Sequence, residues 1–397
     1  MNDLNKYRKE TLAELTDNIL AYWLKNVVDF DLDSFHGYID GKGVVDPKAD
    51  KGVILATRIL WTFSRAHTKL KDEKYLRAAE LMARYIRDHF LDKEHGGVFW
   101  MLDSEGAAVD KTKKFYGQAF AIYAFAEYFE ASGDRQALSE AKKLFDLMEK
   151  HGRDHVEGGY IDAVGSDWSP IPDTRLSDKD LNTPKSMNTN LHVLEAYAEL
   201  AKQDPKGPVV EALESLVNIF LDKIIRPNRH FGLFFDHSWN EVSGNISYGH
   251  DIEGSWLLFE AAERTGNESL VKKVTPIAVE MAHVAMEEAL DAEGGVLSER
   301  EKNGTLKPDK EWWMTAEAMV GFFNTYELTG NDAYLEKSIS AWKFCKKYFV
   351  RPDGEWYEAI NDKGEPYFDR ELVGPWKCPY HSGRACMEII ERTGRLK

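Results

Sequence analysis

One signature returns six times along this chain at a period of roughly 60 residues, and a fixed period of that kind marks a repeat architecture. Each copy sets a glycine among aromatic and apolar residues. The copies are Phe35-His-Gly-Tyr-Ile39, Glu94-His-Gly-Gly-Val-Phe-Trp100, Val156-Glu-Gly-Gly-Tyr-Ile161, Arg229-His-Phe-Gly-Leu-Phe-Phe235, Ala292-Glu-Gly-Gly-Val-Leu297 and Asp353-Gly-Glu-Trp-Tyr357. Glycine followed by alternating apolar residues reads as a turn feeding a short strand or hairpin.

Each interval between copies holds two helical patterns, the first more apolar than the second. They cover residues 56–69 and 75–90, 118–131 and 136–151, 191–202 and 209–225, 255–265 and 268–289, and 315–329 and 333–349. Stop signals sit where such helices should end: Ser132-Gly-Asp134, Thr265-Gly-Asn267 and Thr329-Gly-Asn331. A lone helix over 383–393 is expected to pair with one over 4–23. A helix apolar nearly all round is buried, and one with a polar face lies on the surface. Six buried helices ringed by six outer ones predict an all-α (α/α)6 barrel of about twelve helices, with short β-hairpins at one end. No Gly/Ser/Pro-rich linker interrupts the series, so residues 1–397 read as a single catalytic domain. The most irregular piece, residues 163–185, reads as a loop over a site.

Composition narrows the partners. With 397 residues, 43% of them hydrophobic, the chain has ample material for a large core. A net charge of −16 without a basic run argues against nucleic acid and anionic membrane. There is no apolar run of about 18 residues, and no signal-peptide pattern. Three cysteines, Cys345, Cys378 and Cys386, in no CxxC spacing, fit a reducing, cytoplasmic setting rather than disulfides or zinc. Walker, GxGxxG and HExxH patterns are missing, so no metal or other cofactor is expected.

The stretch Tyr248-Gly-His-Asp-Ile-Glu-Gly-Ser-Trp256 packs an imidazole, carboxylates and aromatic rings together at the head of a helix. His250 and Glu253, three apart, share a helix face. Polar or aromatic clusters open the other inner helices too: Lys51–Arg58, Phe115–Gln118, Ser186–His192, Glu311–Glu317 and Trp376–Arg384. If the hairpins share one end of the barrel, these clusters line one mouth. Its histidines would be His192, His250 and His381, taken as equivalent positions of the repeat. Of the adjacent Trp312 and Trp313, one should face the mouth. His36, His95 and His230, in hairpin turns, read as structural.

The segments 51–66 (KGVILATRILWTFSRA), 185–200 (KSMNTNLHVLEAYAEL), 247–258 (SYGHDIEGSWLL) and 374–389 (GPWKCPYHSGRACMEI) resemble the N-acylglucosamine 2-epimerase superfamily, nearest to its cellobiose 2-epimerases. The resemblance runs from about residue 10 to about residue 390. It implies inversion at C2 of a reducing-end glucose or mannose unit through an enediolate. It implies His250 and His381 as the two acid/base residues, with His192 assisting ring opening. Arg58, Tyr116 and Asn188 would hold the oxygens at C1 and C2. Trp376 would pack on the reducing-end sugar and Trp313 on the second ring. Glu253 and Glu299 would orient the imidazoles, and Asp180 would contact the distal sugar. Those relatives commonly carry Pro-Gln where this chain has Met314-Thr315, and often His at Asn190. Both departures are expected near the second ring, which leaves a mannose/glucose 2-epimerase as the alternative. An aldose–ketose isomerase shares the enediolate. A glycoside hydrolase would need a carboxylate pair from Glu253, Glu317, Asp251 and Asp180. A non-catalytic sugar-binding protein would use the aromatic mouth alone.

Overall fold

The computed structural model describes residues 2–396. Helix α1 (Asn2–Ala13) passes through a π-helical turn, Glu14–Ile19, into α2 (Leu20–Asn26), and the three form one rod. The inner helices are α3 (Val53–Leu70), α5 (Phe115–Ser132), α7 (Met187–Gln203), α9 (Tyr248–Arg264), α11 (Trp312–Thr329) and α13 (Tyr380–Arg395). Each packs on the next, and α13 packs on α3 to close the ring. The outer helices are α4 (Glu73–Tyr85), α6 (Arg135–His151), α8 (Pro208–Ile219), α10 (Glu268–Glu288) and α12 (Asp332–Tyr348), with the α1–α2 rod in sixth place against α13. The expected (α/α)6 barrel is therefore present, with the N-terminal rod and last helix paired.

The residue pattern explains the layering. In α5 every residue from Phe115 to Tyr128 is buried, whereas in α6 only one stripe is, including Ala137, Ala141, Leu144 and Met148. The stop signals act as read: Gly133 and Gly330 close α5 and α11 in the left-handed conformation, and Asp134, Asn267 and Asn331 cap the next helices.

Five inner helices are each led by a two-residue strand. Each such strand pairs antiparallel with a strand that follows the outer helix of the same repeat: Lys51–Gly52 with Met101–Leu102, Lys113–Lys114 with Ala163–Val164, Lys185–Ser186 with Phe234–Phe235, Ile246–Ser247 with Glu299–Arg300, and Lys310–Glu311 with Ala359–Ile360. The hairpins thus gather where the inner helices begin. Buried lysines fasten them. Lys113 Nζ meets Asp92 at 2.7 Å, Lys185 meets Asp154 at 2.8 Å and Lys310 meets Asp291 at 3.1 Å. A buried ammonium requires such a partner, because burying a charge unpaired is costly.

A second fastening comes from the fourth residue of four inner helices. Gln118 exchanges two hydrogen bonds with the Val98 backbone, Asn190 does the same with Tyr160, Asp251 accepts from the Phe231 amide, and the Thr315 hydroxyl accepts from the Val296 amide. These amides follow or flank the turn glycines, several of which (Gly96, Gly97, Gly158, Gly159) need positive φ.

The inner helices start earlier than their apolar periodicity predicts. α9 begins at Tyr248 rather than 255, α7 at Met187 rather than 191, and α11 at Trp312 rather than 315. The first turns carry polar groups on the face that looks into the barrel, so hydrophobic spacing loses them although the backbone is already helical.

Candidate active site

The histidines come from three inner helices but not from one level. His381 is the second residue of α13, His250 the third of α9 and His192 the sixth of α7. At about 1.5 Å of rise per residue, His192 lies roughly one helical turn deeper than the other two. The expectation that the three occupy equivalent repeat positions is thus corrected. The upper level also holds Tyr116, Asn188 and Trp313, each second in its helix, and the lower level holds Arg58, Glu253 and Glu317, each sixth.

One indole ties the upper imidazoles together. The Trp313 ring lies 4.8 Å from the His250 ring and 5.6 Å from the His381 ring, centroid to centroid. Trp312 is buried in the wall, so of the pair it is Trp313 that borders the cavity. His192 packs edge-on to Tyr116 at 4.9 Å and against Phe120.

Each imidazole has its Nδ1 engaged by a different partner. His192 Nδ1 meets Glu195 Oε2 at 2.9 Å, one helical turn on along α7. His381 Nδ1 meets Glu317 Oε1 at 2.7 Å, from the neighbouring helix. His250 Nδ1 meets the Ser247 hydroxyl at 2.7 Å. A carboxylate accepts only, so His192 and His381 donate from Nδ1, and their Nε2 is left as the proton-accepting atom. Burial holds all three imidazoles below their ordinary range. It does so for His250, to about 3, with His192 adding to the effect, and for His381, where Arg58 and Arg384 reinforce it. Neutral imidazoles in a desolvated cavity are proton acceptors at neutral pH.

Behind them stands Arg384, fully buried. Its guanidinium bonds Glu253 and Glu317, each at 2.7 Å, and also Glu195 and the Tyr380 hydroxyl, while Tyr380 donates in turn to Glu195. Three carboxyls share one cation, so not all are ionised together. Burial opposes ionisation of Glu195, but Arg384 and the His192 hydrogen bond hold it down to about 2. Burial and the neighbouring Glu317 push Glu253 up to about 8. The shared proton therefore rests on Glu253 at neutral pH. Glu253, Glu317 and His381 offer ligand atoms within 4.8 Å of one another, a spacing that suits a metal ion, but the Arg384 fork already bridges the two carboxyls there.

The Glu253 proton has a consequence for stability. Its folded-state value lies above the ordinary carboxylate range, so its contribution is complete at pH 4 and lost as pH rises toward 8. The slope is about 1.4 kcal/mol per pH unit for one group. Glu253→Gln, which mimics the protonated acid, should gain stability relative to the parent between pH 5 and pH 8, as read by urea denaturation at both values.

On the opposite wall, Arg58 donates to the Tyr116 hydroxyl at 2.9 Å and lies over the Phe120 and Tyr380 rings. Burial raises the Tyr116 phenol, which stays protonated. The Asn188 Oδ1 is buried and has no partner among the described residues. Trp376 packs against Tyr116 and Trp100, at 5.7 and 5.9 Å. The structure thus brings His192, His250, His381, Arg58, Tyr116, Trp313 and Trp376 into one linked cluster at the heads of the inner helices, with Asn188 second in α7.

Other expected residues sit differently. Glu253 shares a helix with His250 but bonds Arg384, and it approaches His381 Nδ1 at 3.9 Å, because the carboxyl follows the buried guanidinium. Glu299 lies on a rim strand and pairs with Lys307 at 2.6 Å rather than with an imidazole. Asp180 is half-buried and closes a turn by accepting from the Ser177 amide and hydroxyl. Met314 and Thr315 are buried, and Asn190 is fully buried in its bonds to Tyr160 and Ser186. The departures expected near a second sugar ring therefore lie in the scaffold. Asn190→Ala leaves the buried Tyr160 amide and carbonyl unpaired and should cost about 1–3 kcal/mol for each. KM should stay within error, a combination that thermal melts and initial rates would show.

Glu195, Glu317 and Arg384 had not been assigned these roles from sequence. Glu195 was detectable, three residues after His192; the convergence of Glu253, Glu317 and Arg384 from three helices has no sequence signal.

Comparison with known proteins places the chain among sugar epimerases by sequence and by fold. The cellobiose 2-epimerase of Bacteroides fragilis is 40% identical over 386 residues, covering 96% of this chain and 98% of that one. A cellobiose 2-epimerase of Ruminococcus albus is also 40% identical, with the same coverage. The solved structure of cellobiose 2-epimerase from Bacillus thermoamylovorans superposes with a TM-score of 0.94 at 34% identity, over 98% of this chain and 100% of that one. The profile of the N-acylglucosamine 2-epimerase (GlcNAc 2-epimerase) family matches residues 34–385, and the chain belongs to that family.

Proposed function

We propose that this protein inverts C2 of the reducing-end glucose or mannose unit of β-1,4-linked disaccharides such as cellobiose and lactose, and that it does so as a single catalytic unit. The observation that carries the mechanism is the pair of imidazoles, His250 and His381, beside one indole, each with Nδ1 engaged. In the opened sugar, one imidazole takes the C2 proton. The C–H electron pair becomes the C1–C2 double bond of an enediolate, and charge gathers on O1. Arg58 faces that charge as a fixed donor, His192 offers its bare Nε2 to a sugar hydroxyl proton as the ring opens, and Asn188 accepts from a sugar hydroxyl. After rotation about C2–C3, the other imidazole returns a proton to the opposite face. Two bases on different helices are what inversion at a single carbon requires, and imidazole suits a carbon acid at neutral pH.

The aromatic rings at the mouth, Trp313, Trp376 and Trp100, favour a substrate longer than one ring, since flat C–H faces of sugars stack on such surfaces. The high identity to cellobiose 2-epimerases points the same way. A hydrolase reading lacks its acid pair: Glu253 and Glu317 are clasped by Arg384, Asp251 by His230 and the Phe231 amide, and Asp180 by Ser177. Partners beyond the sugar are not invoked; no helix among the described residues is long and apolar enough to cross a membrane. The three cysteines are buried and free, which supports a reducing, cytoplasmic setting. Initial rates on cellobiose, lactose and mannose, with product analysis, test the reading. It expects C2 epimers, with the disaccharides preferred. Release of glucose, formation of ketose as the main product, or preference for mannose would overturn it.

A further inference from the structure

Trp313 borders both His250 and His381, yet it is only partly buried, so part of its ring is open to a ligand at the mouth. A ring on such a rim lacks packing on its open side, and its pitch must be set from elsewhere. Two residues outside the imidazole pair do this, one at each end of the indole.

Glu311 holds the N–H end. Its Oε2 accepts from Trp313 Nε1 at 2.8 Å. Glu311 stands at the N-cap position of α11 in extended backbone (φ −103°, ψ 148°), where short polar side chains ordinarily turn onto the first free amides of the helix. Its side chain makes no such bond. The first amide, that of Trp312, is met instead by the Glu358 carbonyl at 2.9 Å, which leaves the carboxylate to the indole. The strand that carries it is fixed. Lys310 and Glu311 pair with Ile360 and Ala359, and the buried Lys310 is anchored on Asp291. A carboxylate on an N–H makes a charge-assisted hydrogen bond, stronger than a neutral one and directional.

Gly249 seats the other end. It is the second residue of α9, next to His250. A Cβ on it would stand 2.7 Å from Trp313 Cη2 and 2.9 Å from Cζ3, closer than real Cβ atoms come to a neighbour. Only the missing side chain lets the six-membered edge of the indole lie that near to α9. The imidazoles depend on neither residue, because Ser247 holds His250 at Nδ1 and Glu317 holds His381. A change in the pitch of Trp313 therefore alters the surface offered to a ligand more than it alters the placement of the bases.

We propose that Glu311 and Gly249 are positioning residues that set the pitch of Trp313 and, through it, the grip on the second ring of a disaccharide. The proposal rests on the disaccharide 2-epimerase reading and names the residues that give that reading its substrate length. The reducing-end unit is worked on between the two imidazoles, whereas the second ring meets the part of the indole that Glu311 and Gly249 hold in place.

Two alditols, which lack the carbonyl and cannot react, separate grip from chemistry: glucitol spans one sugar unit and cellobiitol two. Both are measured as competitive inhibitors of cellobiose epimerisation. In Glu311→Leu the Ki of cellobiitol and the KM of cellobiose should each rise about ten-fold. The Ki of glucitol should stay within about two-fold, and kcat should fall by less than about three-fold. Glu311→Gln keeps an acceptor oxygen at the same reach and should return cellobiitol to within about three-fold of the parent. If Glu311 served only as a charge at the head of α11, Gln would be as impaired as Leu, and the proposal would fall. Gly249→Ala crowds the indole from the other end and should weaken cellobiitol over glucitol in the same way; it decides alone if Glu311→Leu fails to fold. Parental inhibition by cellobiitol in a folded variant, or an equal loss of both inhibitors, overturns the proposal. A parent enzyme that binds cellobiitol no more tightly than glucitol, or forms no C2 epimer from cellobiose, sinks the disaccharide reading itself, a result read before any variant is made.

Discussion

Replacing His381 by Phe should lower kcat on cellobiose by roughly 10³-fold or more, because general acid/base groups contribute on the order of 10²–10⁴-fold each. Phe keeps the ring beside Trp313 and Tyr380, which lie 5.6 and 4.9 Å from the imidazole, so packing changes little. Glu317 loses one hydrogen bond but keeps those from Arg384 and Trp256. The variant should therefore melt close to the parent while losing turnover, and KM should move far less than kcat. His250→Phe should behave alike, since inversion needs both faces served. Steady-state rates with a thermal melt check both. A variant retaining more than about a tenth of the parental kcat would remove His381 from the proton path.

Arg384→Met should be the most destabilising single change in the barrel. It leaves Glu195, Glu253 and Glu317 buried around no cation. Breaking a buried ion pair from one side costs about 3–5 kcal/mol, and here one cation serves three carboxyls. The urea midpoint should fall sharply. Activity should fall as well, by roughly 10²-fold or more, because Glu195 and Glu317 then no longer hold His192 and His381 in place. Arg384→Lys should rescue little, since an ammonium cannot fork between separate carboxyls. A midpoint within error of the parent would show that the carboxyls simply take up protons and that the cation is dispensable.

Much of the architecture was readable from the chain. The six glycine–aromatic returns placed the hairpins, and the alternation of wholly apolar and one-faced helices placed the two rings, because both patterns record what each element packs against. What hydrophobic spacing concealed was the head of each inner helix. There Tyr248, His250 and Glu253 occupy positions that a core helix would give to Leu or Ile, so α9 seemed to begin seven residues late. The three histidines do gather at the heads of the inner helices, yet their two levels are not legible in the sequence, since level depends on where each helix starts. Arg384 joins carboxyls 189, 131 and 67 positions away in the chain, and no local pattern encodes that meeting. The buried lysines Lys113, Lys185 and Lys310 were passed over because a lone Lys before a helix looks like surface. Asn190 and Thr315 were misplaced for the opposite reason. A polar residue near a site invites a ligand role, whereas these bond the hairpin backbone behind it.

The account rests on two imidazoles handling one carbon from opposite faces. The direct measurement is the reaction with cellobiose in deuterated water, stopped early and read by proton NMR at C2 of both epimers. Two bases predict that newly formed epimer carries one deuteron at C2 while unreacted cellobiose carries none. Epimer without deuterium, or deuterium appearing equally in substrate and product from the outset, would contradict it.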